Sequence, residues 1–386
     1  MPEPAPPAQR RPDYTGNGFV NLIASLVEAR GGAPRHASLA SLPPSEIQGA
    51  TNILLVIMDG LGDRYIAANG GGGALARHRR VPISAVFPST TASAITTSFT
   101  GATPLEHGLT GWFTYFSKSA CVGAPLPFLR RGEKVPLGAR ARDIFVARPL
   151  FDELAVRSIV VSYRPIIDST YNLFHCGAAE RRAYDDLAGI LEQTEKAVKS
   201  GAEAKFIYAY WPQFDVLSHQ HGVGSPQVRA HFDALDAMFG ELLARLAGTD
   251  TLLVLSADHG FIDCPLAEAI ELPAELSAML RFPLCGEQRV AFCHVHEPAR
   301  FIERARCVFG ERAHVRPSRE LAEEGWFGPG RAHPDFAERI GDVVLVMNGR
   351  ATVKDWVPGE SRHLHIGNHG GTSEDEMTIP LVVAKR

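Results

Sequence analysis

Short, unbroken apolar runs recur along this chain, each ending in a polar or glycine-containing turn. Residues 53–58 (ILLVIM), 157–163 (RSIVVSY), 205–210 (KFIYAY) and 251–256 (TLLVLS) are four of them. Runs of this length without polar alternation suit strands covered on both faces, as in a parallel sheet. Between them the spacing turns helical. Residues 92–99 predict a helix start rich in hydroxyls, and residues 144–154 a helix that Pro149 kinks or ends. Residues 184–200 predict an amphipathic helix. Residues 226–246 predict a long one, with Phe232, Leu235, Met238, Phe239 and Leu242 at helical intervals. The alternation of strand and helix predicts an α/β fold with a mostly parallel central sheet and helices on both faces. Residues 378–384 (TIPLVVA) add a terminal strand.

The texture changes after Cys264. Residues 289–294 predict a strand, 299–309 a helix and 315–324 a second short helical piece, which together read as a small inserted α+β cap subdomain. Residues 342–347 (DVVLVM) either rejoin the main sheet or end the insert. The expected organisation is an N-terminal tail and linker over 1–45, a catalytic α/β core over 46–263, the cap over 264–342, and the rest of the core over 343–386. The Pro-rich start, MPEPAPPAQRRPDY, lacks the apolar stretch of a secretory signal and reads as a mobile tail. Residues 21–29 predict a short helix that sets Leu22, Ile23 and Leu26 on the body, and residues 33–44 a linker. Residues 68–80 mix glycines with Arg77, Arg79 and Arg80 and read as an exposed loop followed by a return to the sheet. Residues 112–138 have no clean period and read as an excursion over the active edge.

Composition narrows the classes. The formal net charge of −4 over 386 residues gives no basic footprint for a nucleic-acid partner. Six scattered cysteines without a CxxC pair suit reduced thiols of a cytoplasmic protein, not a disulfide framework or a sulfur-ligated zinc site. No apolar run approaches the roughly 20 residues of a membrane-spanning helix. The sequence leaves oligomeric state open.

The chemistry lies at the strand ends. Three apolar runs each finish near a carboxylate: Asp59, Asp215 and Asp258. Two carry a histidine, as Asp258-His259 and as Asp215 with His219 four residues on, and His369 lies in a Gly-flanked turn near the end. Singly, each reads as an ordinary turn aspartate or solvated histidine. Gathered at the carboxyl edge of one parallel sheet, they read as ligands. Asp and His suit zinc, and two such clusters point to a two-metal site. His221, His363 and His365 read as standing behind the ligands or facing solvent. Phe87-Pro88-Ser89-Thr90-Thr91 is extended through Pro88 and then enters a helix. A helix N-terminus offers free N–H groups and a positive dipole end to a phosphate oxygen or an ionised hydroxyl. The alternative is that Ser89 or Thr90 simply caps the helix.

These motifs in this order resemble the alkaline phosphatase superfamily. They are Asp59-Gly60, FPSTT at 87–91, TGATPLEHGL at 100–109, Asp215 with His219, ADHGF at 257–261 and His369-Gly370-Gly371. Within it the likeness is to the type I phosphodiesterase/nucleotide pyrophosphatase branch, from about residue 52 to the C-terminus. The resemblance implies two Zn²⁺ ions, with Mn²⁺ or Fe as substitutes. One would be held by Asp215, His219 and His369, the other by Asp59, Asp258, His259 and Thr91. Thr91, three residues after Pro88, matches the family's nucleophile. Two divalent ions then balance three aspartates and one ionised threonine. The implied activity is a metal-dependent phosphodiester or pyrophosphate hydrolase acting on small-molecule phosphate esters through a phospho-threonine intermediate. A phosphomonoesterase on the same site is the alternative, and a non-catalytic zinc-binding protein a weaker one. One departure stands out: the asparagine that the nucleotide pyrophosphatases carry three residues after the nucleophile is Ala94 here. Residues 81–117 contain no Lys or Arg, which favours a singly charged diester over a dianionic monoester. Arg164, just past a predicted strand, is the cation that could reach the site from elsewhere.

Overall fold

The computed structural model describes residues 9–386. Among them, the main sheet has seven strands: β1 (Asn52–Met58), β2 (Arg79–Ser84), β3 (Arg157–Tyr163), β4 (Glu180–Tyr184), β5 (Lys205–Trp211), β6 (Thr251–Ser256) and β7 (Thr378–Lys385). Their spatial order is β2–β7–β6–β1–β5–β3–β4. The run β6–β1–β5–β3–β4 is parallel throughout, and β7 pairs antiparallel with both β6 and β2. Every residue of β1, β5 and β6 is buried, which is why these runs are apolar without alternation. The sheet is flanked by helices α1 (Phe19–Ala29), α2 (Thr91–Thr100), α3 (Leu187–Lys199), α4 (Gln213–His221) and α5 (Pro226–Arg245). Helix α2 stops at Gly101, whose left-handed φ of 66° ends the helix without a Cβ penalty. No described helix is long and apolar enough to cross a membrane.

Several expected elements differ. Residues 144–154 form no continuous helix: a one-turn helix, Ala141–Ile144, ends well before Pro149, which disfavours a helical residue before it, and a single 3-10 turn, Leu150–Asp152, follows. Strand β4 (ERRAY) is an edge strand whose polar residues hide its identity. Residues 68–80 return to the sheet through β2 as expected, but hold the helical turn Ala74–His78 where the sequence suggested only a loop. Residues 315–324 begin as the strand Ala313–Pro317 before the helix Ser318–Glu323.

The N-terminal reading also changes. Residues 1–8 lie outside the described part. Beyond them the segment is tied down: the Arg10 N–H donates to the Thr372 carbonyl at 2.7 Å, and the Asp13 N–H to Ser84 Oγ at 2.7 Å. Tyr14 is buried and donates its hydroxyl to the Trp326 carbonyl at 2.9 Å.

The cap is built on a second, antiparallel sheet ordered Cys285–Gly286, Val290–Cys293, Val343–Met347, Ala313–Pro317. The run at 342–347 therefore belongs to the cap and not to the closing part of the core. Thr352–Lys354 also pairs back to Ala269–Glu271, so the cap extends past Asp342. The reason is burial on both faces. Val343, Leu345 and Met347 pack with Phe301 and Phe309 of helix α6 (Pro298–Phe309), while Val344 and Val346 pack with Phe87 and Met377 of the core. A strand covered on both sides looks the same in either sheet.

Candidate active site

Asp59 follows β1 directly, Asp258 lies two residues past β6, and Asp215 sits in the first turn of α4, just after β5. Strands β5 and β6 flank β1, so the three carboxylates meet at one carboxyl edge, where the connections diverge to either side of the central strand. Gly60 makes the turn possible. Its φ is +74°, and a Cβ there would lie 2.4 Å from the Phe261 ring.

The residues singled out from the sequence converge here. His259 Nε2 lies 3.4 Å from Asp59 Oδ1, 3.4 Å from Asp258 Oδ2 and 4.0 Å from Asp215 Oδ1. His219 Nε2 and His369 Nε2 approach Asp215 Oδ1 to 3.4 and 3.6 Å. Thr91 Oγ1 stands 3.4 Å from Asp59 Oδ1 and 3.2 Å from His259 Nε2. Two groups have ligand atoms mutually within 4.8 Å: Asp59 with Asp258 and His259, and Asp215 with His259 and His369. His259 thus borders both groups, and His219 joins the second from the side, its ring 5.0 Å from that of His369.

The donor set fits metal ions. Each histidine turns Nδ1 to a carbonyl: His219 to Gly367 at 2.9 Å, His259 to Gly260 at 3.1 Å, His369 to Ser89 at 3.1 Å. A carbonyl only accepts, so the proton sits on Nδ1 and the Nε2 lone pair faces the cluster. Asp258 Oδ1 accepts from the N–H groups of Gly60 and His259, and Asp59 Oδ2 from the Tyr210 hydroxyl. Among the described residues, Asp258 Oδ2 and Asp215 Oδ1 are buried without a donor. Lone pairs converging on donorless carboxylate oxygens call for a cation. Without one, burial and then the neighbouring Asp258 push Asp59 and Asp215 well above the usual carboxylate range. Burial likewise holds His219, His259 and His369 below the usual imidazole range. Neutral imidazoles are the ligand form, and a bound cation returns the carboxylates to their ionised form.

Thr91 is the first residue of α2. Neither preceding hydroxyl caps the helix: Ser89 Oγ donates to the Gly371 carbonyl at 2.8 Å and Thr90 Oγ1 to Glu287 Oε1 at 2.5 Å. The first N–H groups of α2 are left without a side-chain cap. A pocket of about 420 Å³ opens over this end, lined by Thr91, Asp215, His219 and His369 from the core and by Trp112, Phe113, Glu287 and Lys354 among others. Arg164 is absent from it; it is exposed and paired with Asp185 at 2.7 Å. Of the other histidines, His365 packs its ring 4.2 Å from His219, and His363 also lines the pocket. The sequence missed Glu287, Arg131 and Lys354, which reach the pocket from beyond the nucleophile segment. The hints were the inserted cap, which carries Glu287, and the excursion over 112–138, which carries Arg131.

A family model described as type I phosphodiesterase / nucleotide pyrophosphatase matches residues 53–372. No curated protein matches the chain by sequence. Among solved structures, murine ectonucleotide pyrophosphatase / phosphodiesterase 5 is 16% identical with a TM-score of 0.65, covering 86% of this chain and 87% of its own. The human counterpart is 17% identical with a TM-score of 0.64, covering 86% and 87%. Phosphonoacetate hydrolase from Sinorhizobium meliloti 1021, in complex with phosphonoformate, is 16% identical with a TM-score of 0.63, covering 86% and 89%. At these identities the likeness is one of fold.

Proposed function

Because this chain belongs to the type I phosphodiesterase / nucleotide pyrophosphatase family, and so is a phosphoric ester hydrolase of that type, we propose that it works through a phospho-threonine on a two-metal site. The supporting observation is the pair of donorless oxygens, Asp215 Oδ1 and Asp258 Oδ2, faced by histidine lone pairs beside the Thr91 hydroxyl. Asp215, His219 and His369 would hold one ion, and Asp59, Asp258, His259 and Thr91 the other. With Asp and His donors and no sulfur, zinc is the first expectation, with manganese or iron as substitutes. Bound there, such ions supply Lewis acidity, neutralising phosphoryl oxygens and lowering the pKa of a nearby hydroxyl.

The chain's own groups supply the rest. Thr91 Oγ1 attacks phosphorus, forming a P–O bond as the bond to the leaving oxygen breaks; water then replaces the threonine oxygen and restores the hydroxyl. The N–H groups at the start of α2 orient non-bridging oxygens, which the side chain of Ala94 cannot do. Inactivity of a threonine-to-alanine form of the murine neighbour, solved with AMP, agrees with a threonine at the centre of such a site. The diester preference rests on charge. Residues 81–117 carry no cation, Arg164 lies elsewhere, and Arg131 is spent on Asp355 and Glu360 at 2.7 and 2.8 Å. Six unpaired cysteines suit a cytoplasmic setting. The test is kcat/KM for a bis-aryl phosphate against the aryl monophosphate, with zinc present. A monoester preference of about tenfold or more, equivalent to about 1.4 kcal/mol, would overturn the diester reading.

A further inference from the structure

Glu287 sits at the turn between Cys285–Gly286 and Val290–Cys293, the hairpin of the cap that faces the core. Its Oε1 accepts from the Thr90 hydroxyl at 2.5 Å and from the Trp112 N–H at 2.6 Å. Its stem packs on the residue after His369: a Cβ at Gly370, where φ is +103°, would come within 2.7 Å of Glu287 Cβ. The carboxyl is thus fixed between the nucleophile turn and the His369 loop, and it lines the same pocket as Thr91, Asp215 and His369. Burial pushes its carboxyl up to about 7, against the pull of the Thr90 and Trp112 hydrogen bonds and of Lys354, so it carries its full charge only above that pH. Once ionised it also helps to push Asp215 up. The pocket's cations do not cancel it by direct contact. Arg131 is committed to Asp355 and Glu360, and Lys354 has Glu360 at 3.9 Å.

We propose that Glu287 is a specificity-determining residue that disfavours phosphate monoesters, because its carboxylate stands beside the position a dianionic phosphoryl group must take. This rests on the hydrolase reading above and adds the element that selects the substrate class. A monoester brings one more negative charge than a diester to the same seat, so a fixed carboxylate there penalises it selectively. Residues 81–117 lack a cation, and Glu287 adds an anion. Both absence and repulsion then favour the diester or pyrophosphate diester.

The experiment compares Glu287→Gln with wild type on a matched pair, bis(4-nitrophenyl) phosphate and 4-nitrophenyl phosphate, each enzyme loaded with zinc and assayed at about pH 9, where the Glu287 carboxyl is ionised. Glutamine keeps an acceptor for Thr90 and Trp112 and removes the charge. The ratio of kcat/KM for monoester over diester is expected to rise about tenfold or more, the size of a single fixed charge at short range in a partly screened site. A ratio within about twofold of wild type overturns the proposal. Thr90→Val controls for geometry by removing one of the two donors to Glu287. That donor also helps to hold the carboxyl down, so the comparison is made at about pH 9, where the carboxyl keeps its charge. Thr90→Val is expected to slow both esters while leaving the ratio in place; a rise matching that of Glu287→Gln would assign the effect to the turn and overturn the charge argument. If wild type turns over neither ester, the hydrolase reading fails and this proposal with it. If the diester is turned over and the ratio does not move, only this proposal fails.

Discussion

At the residue scale, the site depends on which oxygens are left without donors. The three histidines and three aspartates were legible because each follows a buried apolar run or a Gly-flanked turn in the sequence. FPSTT singled out Thr91 as the proposed nucleophile, and of the three hydroxyls it is the one that faces Asp59 and His259, while Ser89 and Thr90 are occupied by Gly371 and Glu287. Glu287 was not legible, since it lies almost 200 residues from Thr90 and meets it only through the cap. The role of Arg164 was left open by the sequence because a strand end predicts position along the sheet edge, not side-chain direction; its guanidinium goes out to Asp185. Thr91→Ala is expected to cut turnover of a diester by at least about a hundredfold while most of the metal stays bound, since three other ligands remain. Thr91→Ser should keep part of the rate. His369→Ala should lower metal content by close to one ion per chain. Elemental analysis alongside kinetics reads all three. Normal turnover by Thr91→Ala with a dead Thr90→Ala would move the nucleophile by one position.

At the element scale, the fully buried strands were readable and the half-polar ones were not. β1, β3, β5 and β6 are apolar because both faces are covered, whereas β4 at the sheet edge presents Glu180 and Arg181 to solvent. The segment after Ala141 misled because Ile144, Phe145, Leu150 and Phe151 are buried core residues carried on two separate short turns and not on one helix. Behind α2 this core encloses His175, stacked among Phe99, Phe145, Phe174 and Tyr171. Burial pushes its imidazole down to about 4, and burial does the same to His333. The native state therefore refuses protons that the unfolded chain takes up below its usual value of about 6.5. Stability from this source is full above that pH and is lost as pH falls towards about 4. The expectation is a melting temperature that drops across this window, with a shallower drop in His175→Gln. Melting curves at several pH values for both proteins decide it; identical slopes would remove His175 from the account.

At the scale of the whole molecule, the cap is continuous with the core. Phe87, just before the nucleophile turn, packs in one cluster with Phe292 and Val344 of the cap sheet and with Met377. Arg289 of the same sheet forms a buried ion pair with Glu376 at 3.1 Å, and Glu376 also accepts the Gly371 N–H at 2.8 Å. That pair ties the cap to the loop that carries His369. The sequence showed an insert but not this attachment, because the contacts join segments remote in the chain. Replacing the cap with a linker is therefore expected to unfold the core edge, not merely to change substrate preference. Glu376→Ala leaves Arg289 buried and unpaired, and should cost about 3–5 kcal/mol of stability and weaken metal retention. Denaturant unfolding with metal analysis tests this; a loss below about 1 kcal/mol with full metal content would show the tie to be dispensable.

The account as a whole stands on two cations meeting Asp215 Oδ1 and Asp258 Oδ2 beside Thr91. The most direct measurement is a titration of metal-stripped protein with zinc while hydrolysis of bis(4-nitrophenyl) phosphate is followed. Activity is predicted to be absent at the start and to reach its plateau at two equivalents per chain. A plateau at one equivalent, or full turnover with no transition metal added, would contradict it.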